Sequence, residues 1–256
     1  MEDIMNKKTL TTIFIPIVLI VIVVVSYISF GADSKNEDPI LVTSLNGELT
    51  EVNESDIEKG LIQSSKQLRD DINTVIAEVN GKKITVNDLN LKRSMLVIQS
   101  GEPLRKFTDK EVTDQLIYDY VVYDYLENQG FVYEGSEAEA SYKKNRENDA
   151  QNGNLKDSEK YSEISGLGKE KFEELAVMIH KSSHCYPEFN YRIMDDLLAD
   201  RLGLNDKRSR EIYRELNENS EIDFTLQYQY TQQLTASYIQ KLAKEADVII
   251  YKGRLN

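Results

Sequence analysis

Residues 75–85 read Val75-Ile76-Ala77-Glu78-Val79-Asn80-Gly81-Lys82-Lys83-Ile84-Thr85, and the order of residue types along them decides the fold. The first five are rich in β-branched side chains, which fit the pleated surface of a strand. Asn80-Gly81 separates them from a second short run. Both residues accept the positive φ that a two-residue type I′ turn demands, so the pattern predicts a β-hairpin. The period then changes. Thr85-Val86-Asn87-Asp88 has the form of a helix start, and Leu89, Leu91, Met95, Leu96 and Ile98 supply an apolar side until Gly101 and Pro103 end the helix.

Downstream, Thr108-Asp109-Lys110-Glu111 forms a capping box, in which the hydroxyl accepts from the glutamate's N–H and the carboxylate reaches back. The helix it opens should run to Gln129, with Gly130 as its stop. Leu116, Ile117, Tyr118, Tyr120, Val121, Val122, Tyr123, Tyr125 and Leu126 leave it little polar face, which marks it as the central core helix. Ser136 can cap a charged helix to about Asn148, and residues 150–157 read as a polar loop. Phe172, Leu175, Ala176 and Ile179 lie at helical spacing until Pro187, which should break that helix. A separate one is expected over residues 189–202, stopped by Gly203, and a further charged helix follows to about Asn219. Residues 222–245 favour one long helix over a strand, because Leu234, Tyr238, Ile239 and Leu242 continue the helical spacing without a turn. Residues 247–251 then read as a short closing strand.

Upstream, residues 31–73 form a linker with a possible extended piece at Ile40 to Val42 and a helix capped by Ser55. That helix has few apolar residues to hold it against a core. Residues 13–30 are apolar and uncharged, broken only by Pro16, Ser26, Tyr27 and Ser29. As a helix they would rise about 27 Å, close to the hydrocarbon thickness of a bilayer. Lys7 and Lys8 precede them, and acidic residues outnumber Lys35 just after them, which retains residues 1–12 in the cytoplasm and places the C-terminal domain outside. A cleaved signal peptide is the rival reading, with Ser29 and Gly31 as its small residues, but Phe30 and the length of the run favour an uncleaved anchor. No cysteine follows the run, which argues against a lipoprotein anchor there.

The net charge of −13 makes nucleic acid an unfavourable partner. Cys185 is the only cysteine, so no intrachain disulfide can form. Tryptophan is absent and tyrosine abundant, so tyrosine supplies much of the large core surface. His180, His184, Cys185 and Glu188 are the only cluster of soft metal ligands, but the spacing matches no common zinc site, and two histidines at a helix end are the simpler reading. Cys185 beside His184 offers a nucleophile and a base, yet neighbours in sequence rarely aim at one another. No phosphate-cradling glycine loop and no nucleophile elbow is present. No catalytic residue, metal or cofactor is assigned.

The order of an apolar anchor, the Ile76-Ala77-Glu78-Val79-Asn80-Gly81-Lys82-Lys83-Ile84-Thr85 hairpin and a helix resembles the start of the SurA N-terminal domain family of bacterial extracytoplasmic chaperones. The exported PrsA-type foldases begin similarly. Gly168-Lys169-Glu170-Lys171-Phe172-Glu173-Glu174-Leu175 resembles a later family segment. Leu242-Ala243-Lys244-Glu245-Ala246-Asp247-Val248 resembles its end, where a strand returns to the first hairpin. The resemblance covers about residues 74–251 and implies a mainly α chaperone domain, with a small hairpin joined by a C-terminal strand and residues 252–256 as a tail. Many family members also carry a parvulin prolyl-isomerase module of about a hundred residues as a compact domain. No such stretch is visible here, so the resemblance implies binding of unfolded or assembling exported polypeptides without isomerase activity. Tyr118, Tyr125, Met178, Tyr191 and Met194 are the expected peptide-binding set, since amphipathic rings and flexible thioethers adapt to varied chains. Ordinary core is the competing reading for each. A scaffold that binds one dedicated protein is the alternative function.

Overall fold

The computed structural model describes residues 40–43, 49–100, 102–131, 155–198, 207–218 and 224–255, together with Tyr133, Ser136, Ala140, Lys144, Glu147, Gln151 and Gly203. The expected membrane anchor at residues 13–30 lies outside them. Among the described residues no helix is long and apolar enough to cross a membrane.

The chain is mainly helical with little sheet. Strands β1 (Ile40–Thr43) and β2 (Leu49–Val52) pair antiparallel in the stretch expected to be linker. Helix α1 (Glu54–Ser65) follows. The hairpin of β3 (Val75–Val79) and β4 (Lys82–Thr85) turns on Asn80 at φ 49° and Gly81 at φ 79°. Helices α2 (Val86–Gln99) and α3 (Asp109–Asn128) come next. The remaining helices are α4 (Leu155–Ile164), α5 (Gly168–Leu198), α6 (Lys207–Glu218) and α7 (Phe224–Glu245). Strand β5 (Val248–Ile250) closes the fold. It pairs antiparallel with β3, placing Val79 opposite Val248 and Ala77 opposite Ile250, so the sheet order is β4-β3-β5. The sheet thus brings the β3–β4 hairpin and the closing strand together, with α2 to α7 between them along the chain.

The local signals act as their chemistry dictates. Thr85 caps α2 in a full capping box with Asp88, and Thr108 does the same for α3 with Glu111. Gly130 takes φ 77° after α3, the left-handed conformation a helix stop requires. Asn80 does more than turn the hairpin. Its amide donates to Asp124 on α3 at 2.8 Å, its side-chain oxygen accepts from the Asp247 N–H at 2.9 Å, and its own N–H donates to the Asp247 carbonyl at 2.8 Å. One turn residue therefore ties the hairpin to the central helix and to the closing strand.

Three expectations need correction. Helix α1 ends at Ser65 and is firmly docked, with Ile57, Gly60, Leu61 and Ser64 buried. A Cβ at Gly60 would lie 2.1 Å from the Pro103 carbonyl oxygen, so only glycine permits this approach. The chain after α1 is instead held by Asn90, whose side chain accepts from the Arg69 N–H and donates to the Arg69 carbonyl. Residues 155–157, expected as loop, are the first turn of α4. Pro187 does not end its helix: α5 runs through it. The proline forfeits its bond to the Ser183 carbonyl, but Cys185, Tyr186, Phe189 and Ile193 are buried on both sides of it, and that burial outweighs one lost bond. The helix expected over 136–148 lies largely outside the described residues; Ser136, Ala140, Lys144 and Glu147 are helical and exposed.

Two cores result. The first joins the three-stranded sheet to α1, α2, the first part of α3, the first half of α5 and the end of α7, through residues such as Leu61, Ile76, Ile84, Leu89, Leu116 and Leu175. The second joins the later part of α3, the second half of α5, α6 and α7, through Val122, Leu126, Phe189, Ile193, Ile212, Leu234 and Ile239.

Candidate functional site

Of the five residues expected to bind peptide, the four whose side chains are described lie in different surroundings. Tyr118 is half-buried against both cores, and burial, with Asp114 nearby, pushes its phenol above the ordinary value. Met178 is half-buried against the first core. Tyr125 belongs to the second, edge-on to Phe189 at 5.1 Å and to Tyr238 at 5.8 Å between ring centroids. Tyr191, also on α5, is 66% exposed. Met194 lies on α5, and its side chain is outside the described set. Of the four described side chains, that of Tyr191 is the exposed one. Its exposure is unusual for so large a ring, which the interior normally claims.

The histidines engage each other and a tyrosine. The His180 and His184 rings stack at 4.1 Å, the Tyr133 hydroxyl lies 2.7 Å from His180 Nδ1, and His184 Nδ1 lies 2.9 Å from the His180 carbonyl. Glu188, the fourth member of the candidate metal set, pairs with Arg192 at 2.5 Å. Among the described residues no group of three or more His, Cys, Asp or Glu side chains is placed to hold a metal ion. Cys185 is buried while its neighbour His184 is exposed, so the two face different surroundings. Burial pushes the thiol up to about 11, which keeps it protonated and un-nucleophilic at neutral pH.

What the sequence reading missed is a polar seam between the cores. Lys92 on α2 pairs with Asp119 on α3 at 2.7 Å, both almost fully buried. The Tyr186 hydroxyl donates to the same carboxylate at 2.7 Å, and Tyr123 bonds Ser182 at 3.0 Å beside it. Burial first, and then the Asp119 charge, drive the Tyr123 and Tyr186 phenols well above the ordinary value, so both remain neutral. Nearby, buried Arg93 pairs with Asp109 and donates to the Gln67 carbonyl, while Arg69 reaches Asp109 at 3.2 Å and the Arg254 carbonyl at 2.6 Å. A charge inside an apolar helical run was the signal: Lys92-Arg93 interrupts the apolar side of α2, and Asp119 and Asp124 interrupt that of α3. The seam is closed chemistry, since Asp119 already accepts from an ammonium and a phenol. It organises the fold and offers no vacant acid or base.

No protein-family model matches this chain, and no curated protein or solved structure matches it either. The functional reading therefore rests on the residues and their geometry.

Proposed function

We propose that this chain is a membrane-tethered extracytoplasmic protein of the SurA N-terminal type that binds unfolded or assembling exported polypeptides and has no isomerase activity of its own. The observation that carries this reading is the β4-β3-β5 sheet, in which a Val-Asn-Gly hairpin opens a helical domain and a terminal strand returns to close it. That is the arrangement the resemblance implies. The anchor at residues 13–30 supplies the tether, and the acidic charge keeps the domain soluble and favours basic or unfolded clients. Client contact is assigned to the exposed Tyr191, with Tyr118, Tyr125, Met178 and Met194 as the further expected contacts. Binding alone supplies the energy, with no nucleotide and no cofactor.

The full-length protein in mild detergent should delay aggregation of a chemically denatured client at near-stoichiometric ratios, and should leave a proline-containing peptide at its uncatalysed isomerisation rate. Failure to delay aggregation together with failure to bind unfolded peptide removes the chaperone reading. Accelerated isomerisation removes the claim that the chain lacks that activity.

A further inference from the structure

The two edges of the three-stranded sheet are unlike. Strand β4 presents exposed Lys82 and Lys83, and charged lysines on an edge discourage a further strand from adding. Strand β5 reads Val248-Ile249-Ile250, carries no charge, and among the described strands pairs with β3 alone. Its register fixes which backbone groups are used. Asn80 donates to the Asp247 carbonyl and Tyr251 donates to the Ile76 carbonyl, with Glu78 opposite Ile249 between them. Hydrogen-bonded and non-bonded pairs alternate along an antiparallel ladder, so Asp247, Ile249 and Tyr251 face β3. The N–H and C=O groups of Val248 and Ile250 therefore point away from the sheet, and among the described residues no backbone or side-chain partner takes them. Val248 and Ile249 are only half-buried.

The charges around this edge are ordered. Exposed Asp247 precedes the strand and exposed Lys252 follows it, and neither forms an ion pair among the described residues, while exposed Glu245 is offset by its exposed neighbour Lys244. An antiparallel copy of the same strand brings the acidic end of each chain beside the basic end of the other. We propose that β5 is a self-association edge, on which two copies pair β5 to β5 about a twofold axis at Ile249 to form one continuous six-stranded sheet. Val248 of each copy then exchanges hydrogen bonds with Ile250 of the other. Such an isologous contact closes on itself and leaves the lysine-bearing β4 strands at the two ends of the sheet, where a further strand is discouraged. This inference stands independently of the client-binding reading.

The register gives a sharp test. Ile249 would face its own copy across a non-bonded pair, with Cα atoms about 4.5 Å apart, inside the range a disulfide spans. The only native cysteine is buried, so background crosslinking is low. The full-length protein in mild detergent should show twice the 29.4 kDa of one chain by light scattering. Ile249→Cys should form a disulfide-linked dimer under mild oxidation. Val248→Pro removes only an outward N–H, which an edge strand tolerates, and should weaken dimerisation at least tenfold with the helical circular dichroism unchanged. Ile249→Lys, which sets like charges face to face, should do the same. A monomer at all concentrations overturns the proposal, as does a dimer that survives both substitutions without Ile249→Cys crosslinking. Ile249→Cys that links instead to an added extended peptide would overturn it too, and would give this edge to a client chain.

Discussion

The first core draws on both ends of the described domain, whereas the second is filled by helices alone, α3 and α5 to α7. In the first, Asn80 holds Asp247, Arg69 holds the Arg254 carbonyl, and Arg254 holds the Val75 carbonyl at 2.8 Å, so the opening and closing segments lock each other. Its filling is largely aliphatic. The second core has an aliphatic centre but a richer aromatic share: Phe189, Tyr186 and Tyr230 are buried in it, and half-buried Tyr123, Tyr125, Tyr133, Tyr213 and Tyr238 pack against it. Aliphatic side chains at native packing density tolerate little change in shape, while half-buried tyrosines can present either a ring or a hydroxyl. The difference teaches that one region is a frame and the other a surface able to adapt, and the exposed Tyr191 extends from the adaptable side.

The largest expected effect comes from the seam that joins the two. Lys92→Met should cost about 3–5 kcal/mol, because it strands the Asp119 carboxylate in a buried site. Urea denaturation should show one transition at a lower midpoint, since both cores lean on Asp119. Lys92→Met with Asp119→Leu should recover more than half of the loss. Two separate transitions in the single variant would break the comparison by showing that the cores melt independently.

Next is the knot of the frame. Asn80→Ala should cost about 2–3 kcal/mol, from two lost side-chain hydrogen bonds and a left-handed φ that alanine resists. Asn80→Gly keeps the φ and should cost visibly less in thermal unfolding. Equal losses would mean that the amide's bonds to Asp124 and Asp247 contribute nothing.

These two sites also show how far the sequence could be read. The hairpin, the helix start at Thr85, the Thr108 capping box, the Gly130 stop and the closing strand were legible because each is set by residues within a turn of one another. Lys92 with Asp119, and the passage of α5 through Pro187, were not. Their outcome depends on what other helices bring to the same place, and no spacing within one element encodes that. The same holds for the proposed binding residues. Tyr118, Tyr125 and Met178 share composition and helical position with Tyr191, yet only packing decides that Tyr191 is exposed.

A smaller effect tests the start of the central helix. Thr108→Ala should cost about 1 kcal/mol, the usual worth of an N-cap. Burial opposes ionisation of Glu111, but hydrogen bonds from Thr108 and Arg105 prevail and hold its carboxyl below the ordinary value. Its contribution is therefore present above about pH 4.5 and is lost as pH falls through the depressed value. Thr108→Ala should narrow the stability gap between pH 6 and pH 3, as followed by urea titration at each pH. The smallest effect on stability is Tyr191→Ser, within about 0.5 kcal/mol as for exposed positions generally. The same variant should weaken binding of unfolded peptide severalfold, and unchanged binding would remove Tyr191 from the client surface.

The most direct test of the account is a crosslinking pull-down of the full-length protein from intact cells, with captured proteins identified by mass spectrometry. Client binding predicts a broad set of exported polypeptides, each captured at low occupancy and reduced together by Tyr191→Ser. One stoichiometric protein partner, captured equally by the wild type and by Tyr191→Ser, would contradict it.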